Sequence, residues 1–140
     1  CSPGFNLPVG SLMRTPNGRY SEYHTSADNL DFVRPEFITD SFSKYLAVLD
    51  IIENNKKYIN QNPKCEPQLG KRGLYEQSGG QSGNVVSQLA LLWLLNLSDG
   101  EYSLLDVSNR SGEKFDSIKL AADRLLECGL LKEAEKEFSA

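Results

Sequence analysis

The sequence of 140 residues predicts a mixed fold, with a partial α/β segment over residues 1–72 and a small, mainly helical domain over residues 73–140. Two observations lead to this division. The border contains two prolines, several amides and a Gly/Ser/Gln-rich run, which are typical of a connector. The charge also changes, from nine Lys or Arg against eight Asp or Glu in the first part to six against eleven in the second.

Composition restricts the class of protein further. Hydrophobic residues make up 39% and charged residues 24%, which is typical of a folded chain and excludes a disordered one. No apolar run approaches the roughly 18 residues that span a bilayer, so no membrane partner is expected. Three scattered cysteines without a CxxC pair favour a reducing cytoplasm. Because the chain opens at Cys1 without Met or a signal peptide, we expect an upstream part.

The first part contains one strong helix, predicted from Pro35 to about Lys56. Proline suits the first helical position, and an apolar stripe follows at helical spacing. Before the helix we expect a short strand over Leu7–Met13, a turn at Pro16-Asn17-Gly18 and a polar loop over residues 19–33. One helix and a few loops cannot bury the stripe, so its partner must lie upstream or in the second part. The stripe consists of Ile38, Phe42, Tyr45, Leu49 and Ile52.

The second part predicts three helices, over about Asn84–Asn96, Ser103–Gly112 and Lys114–Cys128. A capping box joins Ser103 to Asp106, and glycines end the last two helices. A one-rung strand at Glu101-Tyr102 and a strand from Leu131 complete an order that is typical of a winged helix-turn-helix. The residues predicted to face the core are Val85, Val86, Leu89, Leu92, Trp93, Leu95–Leu97, Leu104, Leu105, Val107, Phe115, Ile118, Ala122, Leu125 and Leu126.

The charges argue against nucleic acid as a partner of this domain. A recognition helix needs Lys and Arg to neutralise phosphates. The third helix and its approach carry three cations against four carboxylates, and residues 73–140 have a net charge of −5. We therefore expect the winged helix to serve for packing or protein contacts.

The only histidine, His24, lies in the polar loop. By itself it would be read as a solvent-exposed side chain. The segment Tyr23-His24-Thr25-Ser26-Ala27-Asp28-Asn29-Leu30, however, resembles the last metal-ligand segment of aminopeptidases with two co-catalytic zinc ions (metallopeptidase family twenty-eight). In those enzymes a similar loop precedes a long helix.

Most of the chain resembles the end of a bacterial aminopeptidase-like family that carries a C-terminal winged helix. The matching segments are Ser2–Pro8, Glu22–Val33, Gly73–Tyr75 and Leu104–Asp106. The resemblance implies a fragment of a zinc-exopeptidase domain in residues 1–72, with His24 as a zinc ligand. It also places Arg14 and Tyr23 near the pocket, in contact with a peptide end. Ordinary loop packing stays open for both, and Asp28 and Asp31 are interpreted as loop-fixing carboxylates.

The function implied by the resemblance is that of a zinc-dependent aminopeptidase-like hydrolase, acting on a peptide or related amide. The catalytic base and the other zinc ligands would lie upstream, so we expect this chain alone to be inactive. Two alternatives stay open. The chain could be a non-catalytic interaction module, or it could end in a degenerate DNA-binding domain. A phosphate-binding loop and a nucleophilic serine triad are both excluded, because the required motifs are missing from the sequence.

Overall fold

The computed structural model describes residues 3–5, 7, 9–75 and 86–135. The backbone divides into two compact units, residues 1–49 and residues 50–140. None of the described helices combines the length and the apolar character needed to cross a bilayer.

The first unit is built around helix α1, Pro35–Asn54. The helix begins at Pro35 as predicted and ends two residues before Lys56. The predicted turn is confirmed, since the Arg19 amide donates to the Pro16 carbonyl at 3.0 Å and Gly18 has a φ of 75°. The strand expected over Leu7–Met13 is wrong for the residues described there, 7 and 9–13, which form no strand.

Helix α1 has no buried residue, although half of its circumference is apolar. A helix with so wide an apolar surface is normally covered on more than one side. The expectation that the loops before it cannot bury its stripe is confirmed. Each of the five stripe residues is exposed, as are other large side chains of the same helix. These exposed residues are Phe37, Ile38, Phe42, Tyr45, Leu46, Val48, Leu49 and Ile52.

The second unit contains three helices and a three-stranded antiparallel sheet. The helices are α2, Gln88–Leu97, α3, Leu104–Ser111, and α4, Phe115–Glu127. The strands are β1, Lys57–Asn60, β2, Asp99–Ser103, and β3, Leu131–Glu133. Their order in the sheet is β2-β1-β3, so the first strand of the chain lies in the middle.

The helix ends follow the predicted signals. The Ser103 and Asp106 side chains form the capping box of α3, with the Ser103 amide donating to Asp106 Oδ2 at 2.9 Å. Gly112, with a φ of 74°, ends the same helix. After α4, the Leu130 amide donates to the Leu125 carbonyl at 2.8 Å, which is the Schellman bond expected around Gly129.

The second unit begins earlier than residue 73, the boundary that the sequence suggested. Strand β1 pairs with both other strands, with Tyr58 opposite Glu133 and Lys57 opposite Ser103. A short 3₁₀ helix, Leu69–Arg72, places the Leu69 side chain in the core at 0% exposure. The prolines and amides between these elements are typical of a connector. The segment is nevertheless flanked by two core residues, Tyr58 and Leu69.

Helix α2 shows a different buried face from the one predicted. Leu89 is 59% exposed and Leu92 is 40% exposed, while Leu126 on α4 is also exposed and Trp93 is only half-buried. The apolar run of α2 is continuous, so its sequence has no periodicity from which a face could be chosen. The residues that α2 buries are Ala90, Leu91, Leu94 and Leu97. Val85 and the end of the acidic tail lie outside the described residues.

We expect Leu69→Ala to destabilise the second unit by about 2–5 kcal/mol, because it leaves a cavity in a closed core. Leu89→Ala is the matched control, since it removes the same atoms from an exposed site and should be nearly neutral. Urea unfolding followed by the fluorescence of Trp93, the single tryptophan, measures both. Equal effects of the two substitutions would contradict the burial described for the 3₁₀ helix.

Candidate functional site

His24 lies in a tight turn in the loop before α1. Its φ of 58° is in the left-handed region, which histidine enters more readily than most residues but still at a cost. The turn is closed by Thr25, whose amide and hydroxyl donate to the Glu22 carbonyl at 3.1 and 2.8 Å. The His24 side chain is exposed, so its imidazole is accessible.

Three aromatic rings extend from the imidazole into the loop. The Tyr23 ring is stacked on His24, with centroids 4.0 Å apart and planes inclined by 16°. Tyr20 meets Tyr23 edge to face at 5.5 Å and stacks on Phe32 at 5.8 Å. Tyr23 and Tyr20 are half-buried. The sequence placed Tyr23 near the site, but its contact is with the histidine, and the roles of Tyr20 and Phe32 were missed.

The loop is fixed mainly by uncharged side chains. The Ala27 amide donates to Thr25 Oγ1 at 3.2 Å, and the Asp31 amide donates to Asn29 Oδ1 at 2.9 Å. Asp28 takes part through its own amide, which donates to the Thr25 carbonyl. The bonds found here therefore use the backbones of Asp28 and Asp31, whereas the sequence suggested their carboxylates.

The donors of the described residues do not form a metal site on their own. Among them, no three His, Cys, Asp or Glu side chains come close enough together to hold an ion. Zinc in proteins normally takes at least three protein ligands. His24 can therefore supply one nitrogen, and any further ligands would have to come from residues outside those described.

Arg14 precedes α1 in the chain, and its side chain contacts residues of that helix. Its guanidinium pairs with Asp40, which also pairs with Lys44, and it lies 4.9 Å from the centroid of the Phe37 ring. The Tyr45 hydroxyl donates to the Leu12 carbonyl at 3.0 Å, so the segment before Arg14 is also bound to the helix. Sequence reasoning missed Asp40, although its spacing of four from Lys44 is a recognisable helical ion pair.

An open cleft of about 500 Å³ lies beside Arg14, in the size range of small-molecule sites. Tyr20 lines this cleft and also touches Tyr23, but Tyr23 and His24 are not part of the lining. The structure therefore does not bring Arg14 and Tyr23 into one pocket, and connects them only through Tyr20. The apolar and aromatic part of the lining is Met13, Tyr20, Phe32, Val33, Phe37 and Ile38.

The Lys44 ammonium and the Arg14 guanidinium, in that order of effect, lower the pKa of Asp40 through their hydrogen bonds to its carboxylate. Asp40 therefore stays charged at a lower pH than an ordinary aspartate. Its charge favours the folded state above the ordinary pKa of aspartate, and this contribution is lost as the pH falls through the lowered pKa.

Both cations of α4 and one cation beside β1 form ion pairs within the second unit. On α4, Lys119 lies 3.6 Å from Asp50 and Arg124 lies 3.0 Å from Glu127. Lys56 pairs with Glu133 on β3 at 2.8 Å, which raises the pKa of Lys56. Arg110 lies over the Tyr102 ring. Forming phosphate contacts with these side chains would require breaking existing pairs.

The charge of the domain also depends on where it begins. The net charge of −5 belongs to residues 73–140, but residues 56–133 carry ten Lys or Arg and ten Asp or Glu. The segment 56–133 is therefore neutral, whereas the whole second unit, residues 50–140, carries eleven Lys or Arg against fourteen Asp or Glu. Phosphate binding by α4 is disfavoured because both cations of this helix, Lys119 and Arg124, are already paired.

The three helices and the small sheet define a winged helix-turn-helix unit. The chain belongs to the winged helix-turn-helix family, whose sequence profile matches residues 56–133. This range contains all three strands, from β1 to β3. Residues 1–55 match a second family, described as "Domain of unknown function (DUF4910)".

The chain is similar to a relative and to a solved structure, both from Clostridium acetobutylicum. The relative is 54% identical over 131 residues and is named as a polysaccharide biosynthesis protein with an aminopeptidase-like domain. The match covers 94% of this chain and 30% of the relative. The solved structure, described as a peptidase, is 50% identical with a TM-score of 0.78, over 94% of this chain and 28% of that one.

We expect Lys44→Ala to raise the pKa of the Asp40 carboxyl towards its ordinary value, because it removes the stronger of the two hydrogen bonds. Arg14→Ala should raise it less. Carbon-detected NMR titration of the carboxyl measures both variants, and Lys71→Ala, a surface lysine of the second unit, is the control. An Asp40 that titrates normally in the unsubstituted chain would contradict the three-residue cluster.

We also expect no measurable affinity of the chain for duplex DNA, because the cations on α4 are already paired. Fluorescence anisotropy with a labelled duplex at low salt tests this, since electrostatic binding is strongest there. Micromolar binding that weakens steeply with added salt would contradict the expectation. Asp50→Asn then serves as a diagnostic variant, because it frees Lys119 and should strengthen any such binding.

Proposed function

We propose that the chain forms the C-terminal part of an aminopeptidase-like hydrolase, which removes the N-terminal residue of a peptide or acts on a related amide. The observation that carries this proposal is the relative named for an aminopeptidase-like domain, which is 54% identical and matches 94% of this chain. The solved structure described as a peptidase supports it at the level of three-dimensional form.

The exposed face of α1 adds physical support. The apolar side chains of this face remain 43–63% exposed, and burying large apolar side chains stabilises a fold by about 1.5–3 kcal/mol each. A larger domain that packs on this face would supply that stabilisation. The chain spans 30% of the relative's length, which is in keeping with such a domain.

In this proposal His24 is one ligand of a zinc ion, and the remaining ligands and the catalytic base lie upstream. Zinc would supply polarisation of the scissile carbonyl and a more acidic bound water. His24 is suited to this role because its imidazole is exposed on a turn that Thr25 holds closed. Arg14 and Tyr23 are proposed as contacts of a peptide end, with Arg14 beside the cleft and Tyr23 beside the histidine. A reducing cytoplasmic location belongs to the same proposal.

The winged helix is proposed as a module for packing or protein contacts, without nucleic acid as a partner. The pairing of Lys119, Arg124 and Lys56 supports this use over DNA binding. A non-catalytic interaction module is the second candidate for the chain as a whole. The observation that favours it is the exposed apolar face of α1, which a partner protein would also bury.

The proposal predicts that His24→Ala, in the protein extended to the length of the relative, reduces bound zinc and abolishes release of an N-terminal residue. Its fold should be retained, since the loop contributes little core. Ser26→Ala is the matched control, because the loop uses the backbone carbonyl of Ser26 and not its hydroxyl. Metal analysis by mass spectrometry and an aminoacyl-anilide assay give the two measurements.

The 140-residue chain by itself should bind zinc weakly and hydrolyse nothing. Tight stoichiometric zinc in this chain would show that further ligands exist within it. Unchanged zinc in the longer His24→Ala protein would remove the histidine from the metal site. A longer protein with neither metal nor activity would favour the interaction module.

A further inference from the structure

The stacked pair Tyr23 and His24 requires an unusual backbone. In an extended segment neighbouring side chains point to opposite faces, so adjacent rings do not meet. The φ of 58° at His24 turns its side chain back over Tyr23, and the rings lie nearly parallel at 4.0 Å. The stack and the left-handed conformation therefore depend on one another.

Two further contacts hold Tyr23 in place. Its amide donates to the Tyr20 carbonyl at 3.3 Å, and the edge of one ring meets the face of the other at 5.5 Å. Tyr20 is in turn stacked on Phe32, across the loop. The imidazole is thus the exposed end of a series of four rings whose other members rest on the body of the loop.

We propose that Tyr23 is a positioning residue for His24, acting through its ring and not through its hydroxyl. The functional meaning rests on the proposed function, in which His24 is a zinc ligand. Stacking uses the face of the imidazole, whereas both ring nitrogens lie at its edge. The Tyr23 ring therefore limits rotation of the imidazole about its side-chain torsions and leaves its nitrogens available.

This arrangement replaces a more common one. The second nitrogen of a metal-binding histidine is usually held by a carboxylate or a carbonyl, and loss of such a partner weakens metal binding by about 10–100-fold. An aromatic face achieves a similar restriction without using a nitrogen. For an exposed imidazole on a turn, this restriction lowers the entropy that is lost when the side chain is fixed by a ligand.

The first test uses the 140-residue chain without metal. His24 is its only histidine, so the imidazole protons give unique NMR signals. The Tyr23 ring current should shift them upfield. We expect Tyr23→Leu to remove this shift, Tyr23→Phe to keep it, and Tyr20→Leu to reduce it in part. Tyr75→Leu, which removes a tyrosine of the second unit, is the control. Unshifted signals in the unsubstituted chain would overturn the stack.

The second test uses the protein extended to the length of the relative. Zinc affinity, from competition with a chelator, should fall by about 10–100-fold in Tyr23→Leu and stay unchanged in Tyr23→Phe. A Tyr23→Phe variant that loses zinc affinity as far as Tyr23→Leu would show that the hydroxyl holds the histidine, which overturns positioning by the ring.

The two tests separate this inference from the proposed function. Loss of the NMR shift in Tyr23→Leu with full zinc affinity, while His24→Ala loses zinc, would overturn the positioning role and leave the proposed function intact. Full zinc in His24→Ala would overturn the proposed function and, with it, positioning of a zinc ligand. If Tyr23→Leu fails to fold, Tyr20→Leu gives the same comparison with a milder change.

Discussion

The second unit depends on the pairing of β1 with two strands at once. Tyr58, only 5% exposed, lies at the centre of the sheet, and the Asn60 side chain reaches α2 through a 2.9 Å hydrogen bond to the Leu95 carbonyl. Strand β1 precedes the three helices, yet it separates β2 from β3. The central position is filled by the first strand of the unit, so β3 is not joined to its neighbour by a hairpin.

Because β1 belongs to this sheet, the winged helix begins before residue 72, close to the end of α1. The Asn55 side chain accepts the Leu105 amide at 2.9 Å, and the Lys56 carbonyl accepts the Leu104 amide at 3.0 Å. The two residues that follow α1 therefore satisfy donors at the start of α3, which otherwise lack partners within their helix. Asp50, on α1, pairs instead with Lys119 of α4 at 3.6 Å. The end of α1 is thus an integral part of the second unit, although its apolar stripe extends far beyond it.

The candidate site shows how a local backbone choice can create a functional geometry. The loop around His24 has few buried apolar contacts, and its shape comes from short-range hydrogen bonds and from four rings. Arg14 differs from His24, because Asp40 and Phe37 hold its side chain against α1. Its positive charge is therefore partly balanced before any ligand approaches. The His24 imidazole is exposed, whereas the Arg14 guanidinium is paired with Asp40.

The sequence by itself determined the features that are encoded within a few residues. These include the start of α1 at Pro35, the capping box at Ser103, the glycine ends of α3 and α4, and the resemblance around His24. The helix ends depend on proline, on a side-chain cap and on glycine, each of which acts within a few residues of its position. Tertiary structure decided the rest. The continuous apolar run of α2 could not indicate its buried face, which is set by packing against α3 and α4. Strand β1 has four residues and no clear alternation, so it becomes a strand only because β2 and β3 provide hydrogen-bond partners from distant parts of the chain.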